Sequence, residues 1–81
     1  MKSLKVIAEF TGINAFGDRM HLVRLTENGL VTKSEIRKGD DVAHDFMTAH
    51  GLLATGLDHT SPRREEWTVE LAPSSEDIDE A

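Results

Sequence analysis

The sequence predicts an α+β fold in which a small antiparallel sheet carries a single helix on one face. Three observations lead to this prediction. Short segments near both ends of the chain alternate between apolar and polar residues, two further short segments flank an Asn-Gly pair, and one central segment has apolar residues at helical spacing. The predicted element order is β-β-β-α-β. With a single helix among strands, the simplest arrangement is an antiparallel sheet with that helix packed on one face.

The first predicted strand covers residues 4–11. Its inward face consists of alternate apolar residues, namely Leu4, Val6, Ala8 and Phe10. Ile7 lies on the opposite face, which we therefore expect to be partly dry. Glycines, an Asn and an Asp predict a loop over residues 12–19. This loop also contains Ile13 and Phe16, which either fold back onto the core or are displayed.

The second and third predicted strands, residues 20–26 and 30–36, form a hairpin. A two-residue Asn28-Gly29 turn would place Arg24 opposite Lys33, and like charges in opposite positions destabilise a sheet. A three-residue turn avoids this pair, so we predict the register that it produces. That register places Met20, Leu22, Leu30 and Ile36 on the inward face and Val23, Leu25 and Val31 on the outward face.

The predicted helix covers residues 41–50, and Gly51 suits the left-handed position that follows a helix. Gly, Asp, Ser and Pro residues then predict a long connection over residues 52–64. Residues 66–72 form the last strand, which we place beside the first. The predicted core consists of Val6, Ala8, Phe10, Leu22, Ile36, Val42, Phe46, Leu53, Trp67, Val69 and Leu71.

Composition sets the domain organisation. The chain has 81 residues and a net charge of −6, and four acidic residues lie in its last six positions. We predict one α+β domain over residues 1–73 and a disordered acidic tail over residues 74–81, which has too few apolar residues to order itself. The sequence has no cysteine, no signal-like segment and no apolar run of membrane-spanning length, so we expect a cytoplasmic protein.

The candidate chemical groups are histidines and carboxylates. Asp41, His44 and Asp45 share one helix face, where they could hold an ion only weakly. His50 is expected to bind carbonyls at the helix end, and His21 is expected to pair with Glu35. The serines lack a nucleophile elbow, and the carboxylate pairs lack an apolar pocket. We therefore predict no enzyme, no metal site and no cofactor.

The function that remains is binding. We predict a non-enzymatic protein–protein interaction module, an inhibitor or adaptor of the kind common among accessory proteins of phages and other mobile elements, which binds another protein or itself as a homodimer. The predicted contact residues are Ile7, Ile13, Phe16, Val23, Leu25 and Val31. The alternative is a nucleic-acid-associated protein, either an acidic mimic of DNA or a protein that contacts nucleic acid through Arg37, Lys38, Arg63 and Arg64.

Overall fold

The computed structural model describes residues 3–72, so the predicted tail, residues 74–81, lies outside the described residues. The elements in chain order are β1 (Leu4–Ile13), β2 (Arg19–Glu27), β3 (Leu30–Lys38), α1 (Val42–Ala49), β4 (Leu52–Thr60) and β5 (Arg64–Leu71). The strands form one antiparallel sheet in the order β3-β2-β1-β5-β4. Within residues 3–72, the predicted α+β class, the single helix and the pairing of the last strand with the first are confirmed.

β4 is a fifth strand in place of most of the predicted connection. It forms one edge of the sheet, pairs with β5, and has two bulges, between Ala54 and Gly56 and between Leu57 and His59. Gly and Asp residues are typical of loops, and their presence here predicted one. An edge strand accommodates such residues at bulges, so the prediction of an unstructured segment is wrong for residues 52–60.

The β2–β3 hairpin has a two-residue Asn28-Gly29 turn, although the sequence predicted a three-residue turn in order to avoid pairing Arg24 with Lys33. Asn28 and Gly29 have φ values of +52° and +86°, the left-handed pair that a type I′ turn requires. A bulge then shifts the register by one residue, and Arg24 faces Ser34 instead of Lys33. The like-charge pair is thus avoided by a bulge and not by a longer turn, so the predicted three-residue register is wrong.

The core lies between α1 and one face of the sheet. It comprises Leu4, Val6, Ala8, Val23, Leu25, Val42, Ala43, Phe46, Met47, Leu52 and Val69, with Trp67 packed against it. Five predicted core residues are therefore confirmed as buried: Val6, Ala8, Val42, Phe46 and Val69. Phe10 and Leu22 are only half-buried, and Ile36, Leu53 and Leu71 are exposed.

β2 faces the core with the side opposite to the predicted one. In the register with β1, Leu25 lies opposite Val6 and Val23 lies opposite Ala8. Residues opposite each other in neighbouring strands share a face of the sheet, so Val23 and Leu25 lie beneath the helix. α1 packs mainly against β1, β2 and β4. Ile36 lies opposite Leu22 on edge strand β3, so it shares the face away from Val23 and Leu25 and not the predicted inward face.

Candidate functional site

The loop between β1 and β2 is held in one conformation by Asn14. The Asn14 Oδ1 atom accepts hydrogen bonds from the backbone N–H groups of Phe16 and Asp18, each at 2.9 Å. The Asn14 N–H group donates to the Asp18 carbonyl at 2.9 Å, and the Gly17 N–H group donates to the Asn14 carbonyl at 3.1 Å. Asn, Gly and Asp form such turns readily because their side chains and backbones satisfy one another locally.

This loop displays its apolar side chains. Phe16 is 89% exposed, and Ile13, at the end of β1, is 64% exposed. Of the two alternatives that the sequence left open, display is therefore the observed one. Burying a Phe side chain contributes roughly 1.5–3 kcal/mol. The described part of the chain does not obtain that stabilisation from Phe16, although the loop itself is well ordered by hydrogen bonds.

The other four predicted contact residues do not join Ile13 and Phe16. Val23 and Leu25 are buried in the core, so their predicted position on the outward face is wrong. Val31 is 52% exposed on edge strand β3. Ile7 lies on the face of the sheet away from the helix and is half-buried there. The six residues therefore form no continuous apolar patch.

The face away from the helix, which we call the open face, carries several ion pairs. Arg24 Nη2 lies 3.1 Å from Glu9 Oε1, and Lys5 Nζ lies 3.5 Å from Asp58 Oδ2. The Thr68 hydroxyl also donates to Asp58 at 2.5 Å, and this hydrogen bond lowers the pKa of the Asp58 carboxyl. Charges of both signs thus interrupt the apolar residues of the open face, as is typical of a solvated surface.

The four predicted nucleic-acid residues fall into two separate pairs. Arg37 donates to Glu35 at 3.0 Å, and Lys38 lies 3.9 Å from Asp18. Arg64 donates to Glu66 at 2.8 Å. β2 and β1 lie between β3 and β5, which separates the backbones of β3 and β5 by about 14 Å at ordinary strand spacing. The structure therefore does not merge them into one basic patch.

Sequence reasoning did not find a side-chain network between β3 and the end of α1. His50 Nε2 lies 2.6 Å from Glu35 Oε2, and His50 Nδ1 lies 3.4 Å from Lys33 Nζ. A carboxylate can only accept and an ammonium can only donate, so Nε2 carries the proton and Nδ1 accepts. The hydrogen bond from His50, assisted by the charge of Arg37, lowers the pKa of the Glu35 carboxyl.

Two predicted histidine interactions are corrected by this network. His50 turns its ring toward β3, where its side chain binds Glu35. His21 faces Arg37 across the hairpin, and its Nδ1 atom is buried without a hydrogen-bond partner in residues 3–72. The available signal was spacing, since Lys33, Glu35 and Arg37 alternate along one strand and must share a face.

Two surface cavities lie near the start of α1. The smaller has a volume of about 210 Å³, and its lining includes Phe10, Arg19, His21, Asp40, Arg63 and Glu65. The larger, about 420 Å³, is lined by Asp40, Asp41, Ala43, His44, Glu65 and Trp67. The lining of the smaller cavity combines acidic and basic side chains, and the lining of the larger combines acidic and apolar side chains. Neither lining therefore favours one class of ligand.

No group of three or more His, Asp or Glu side chains within residues 3–72 is placed to hold a metal ion, and this includes Asp41, His44 and Asp45. Over the same residues, no helix has the length and apolarity needed to cross a membrane.

Comparison of the chain with protein-family models, with curated proteins and with solved structures finds no match.

Proposed function

We propose that this chain is a small, cytoplasmic, non-enzymatic protein–protein interaction module, an inhibitor or adaptor whose contact point is the Asn14-braced loop. The single observation that carries the proposal is Phe16, which is 89% exposed on a hydrogen-bonded loop. Aromatic side chains that enter a partner's pocket supply much of the binding energy at protein interfaces. A loop already held in shape loses little conformational entropy when it binds.

The partner is another protein or a second copy of this chain, and contact through side chains suits either. Pairing of strand edges is the less favourable route, because both edges carry protective features. β3 contains Lys33, Arg37 and Lys38 as well as a bulge, and β4 contains two bulges. Charged residues and bulges at an edge discourage the addition of a further strand.

Phe16→Ala provides the test, and Leu30→Ala provides a matched control. Leu30 is 73% exposed at the hairpin turn, the opposite end of the sheet from the loop, so its truncation removes apolar surface of a similar kind elsewhere. Losing a buried Phe contact worth roughly 1.5–3 kcal/mol should weaken binding by about 10- to 150-fold. Leu30→Ala should change binding less than about twofold.

Affinity capture from the source cells with the wild-type chain and both variants measures the effect on a second protein. Light scattering of the pure chains measures self-association in parallel. Loss of a captured partner, or of the dimer, in Phe16→Ala alone would support the proposal. A wild-type chain that stays monomeric and captures nothing, or equal losses in the two variants, would refute it.

A further inference from the structure

The lysines of the described segment differ in the group that each Nζ atom meets. Lys5 and Lys38 each lie against a carboxylate, at 3.5 and 3.9 Å. Lys33 instead lies 3.4 Å from the Nδ1 atom of His50. A carboxylate holds the charged ammonium form of a lysine by its opposite charge. An imidazole nitrogen can accept a proton from an attacking amine and so act as a general base.

His50 is itself oriented by a third group. Its Nε2 atom donates to the Glu35 carboxylate at 2.6 Å, and its ring packs against Phe46 with centroids 4.5 Å apart. The arrangement is a nucleophile within reach of a base, with the base held by a carboxylate. This is the general geometry of an activated nucleophile. Here the atom in the nucleophile's position is the amine of Lys33.

We propose that Lys33 is a site of acylation by small activated acyl compounds, either acyl phosphates or acyl thioesters, with His50 as the general base. Lys33 lies on an exposed stretch of edge strand β3, so a small reagent can reach it. Acylation removes the positive charge of a lysine. It would therefore make the net charge of the chain one unit more negative and remove a protective charge from a sheet edge.

The chemical step balances without any further reactant. The ammonium of Lys33 first releases one proton to water, and the Nζ atom of the resulting amine then attacks the acyl carbon, so that a C–N bond forms. The bond from that carbon to the phosphate oxygen or thioester sulfur breaks, and its electron pair leaves with phosphate or thiolate. Nδ1 of His50 accepts the proton lost by the amine. The Glu35 carboxylate stabilises the imidazolium until it releases that proton to water.

The experiment uses the full chain and counts acylation at each lysine by mass spectrometry over time. One arm contains acetyl phosphate and the other contains the acetyl thioester of a small thiol, which separates the two sources of the acyl group. We expect Lys33 to react at least about tenfold faster than Lys5 and Lys38 in the same molecule, in one arm or both. This internal comparison is independent of protein concentration and of reagent decay.

Three variants separate the roles. In His50→Gln the ratio of Lys33 to Lys38 rates should fall to about one or two, and in Glu35→Gln it should fall part of the way. Asp18→Asn removes the carboxylate beside Lys38 and should leave Lys33 the faster residue. Circular dichroism and amide NMR spectra check that each variant is folded.

Equal wild-type rates at Lys33 and Lys38 in both arms would overturn the proposal. So would an unchanged ratio in folded His50→Gln, or a Lys38 rate in Asp18→Asn that reaches that of Lys33. The proposal does not depend on the interaction function, since its readout needs no protein partner.

Discussion

Val23→Ala should destabilise the domain much more than Val31→Ala, although both substitutions remove the same two methyl groups. Val23 is fully enclosed beneath the helix, whereas Val31 is 52% exposed on an edge strand. Removing two buried methyl groups costs about 1.6 kcal/mol in transfer free energy. The cavity that remains adds to this, so we expect a loss of about 2–3 kcal/mol for Val23→Ala and within about 0.5 kcal/mol for Val31→Ala.

Chemical and thermal denaturation of the purified variants measure these losses. For a domain of this size, that loss of free energy should lower the melting temperature of Val23→Ala by roughly 8–24 °C. The total free energy of unfolding is expected to be roughly 4–10 kcal/mol. The melting temperature of Val31→Ala should stay within a few degrees of the wild-type value. Equal losses, or a larger loss in Val31→Ala, would show that the β1–β2 register described above is wrong.

Two further substitutions test the turn and the β3 network. Gly29→Ala should lower the free energy of unfolding by about 1–2 kcal/mol, because Gly29 has a φ of +86° that alanine adopts poorly. Gly56→Ala is the control and should be near neutral, since Gly56 has an ordinary φ and nothing within 4 Å of an added Cβ atom. Similar losses in the two variants would contradict the type I′ turn. The pKa of Glu35 is lowered from its ordinary 4.5, so its stabilising contribution is present above that pH and is lost as pH falls through the lower folded-state pKa. Urea denaturation at pH 7 and pH 3 measures how much the free energy of unfolding falls in acid. This fall should be smaller in Glu35→Gln than in the wild-type chain or in the exposed control Glu70→Gln. An equal fall in all three would contradict the His50 contact.

Local patterns predicted most of the elements. The alternation of β1 and β5, the helical spacing around Phe46 and the left-handed glycine after the helix are properties of short segments, and all three predictions are confirmed. Gly51 has a φ of +66°. The loop with Phe16 was also recognisable, because its Asn, Gly and Asp residues form hydrogen bonds with one another. In each case the determining contacts span a few residues, which sequence periodicity reports directly.

The wrong predictions concern features that depend on contacts between segments distant in the sequence. β2 has two apolar residues on each face, and only its pairing with β1 places Val23 and Leu25 inside. β4 needs β5 as a partner before its Gly and Asp residues belong to a bulged strand. His50 meets Glu35 only after the helix has packed on the sheet.

The sequence by itself therefore determined the fold class, the strands with a clear alternation and the position of the loop that carries Phe16, whereas the exposure of Phe16 was established by the structure. Tertiary structure alone decided which face of β2 became the core and which side chains converged on Lys33. The physical reason is that burial of a strand face and encounters between distant side chains depend on contacts that the local pattern of a segment does not contain.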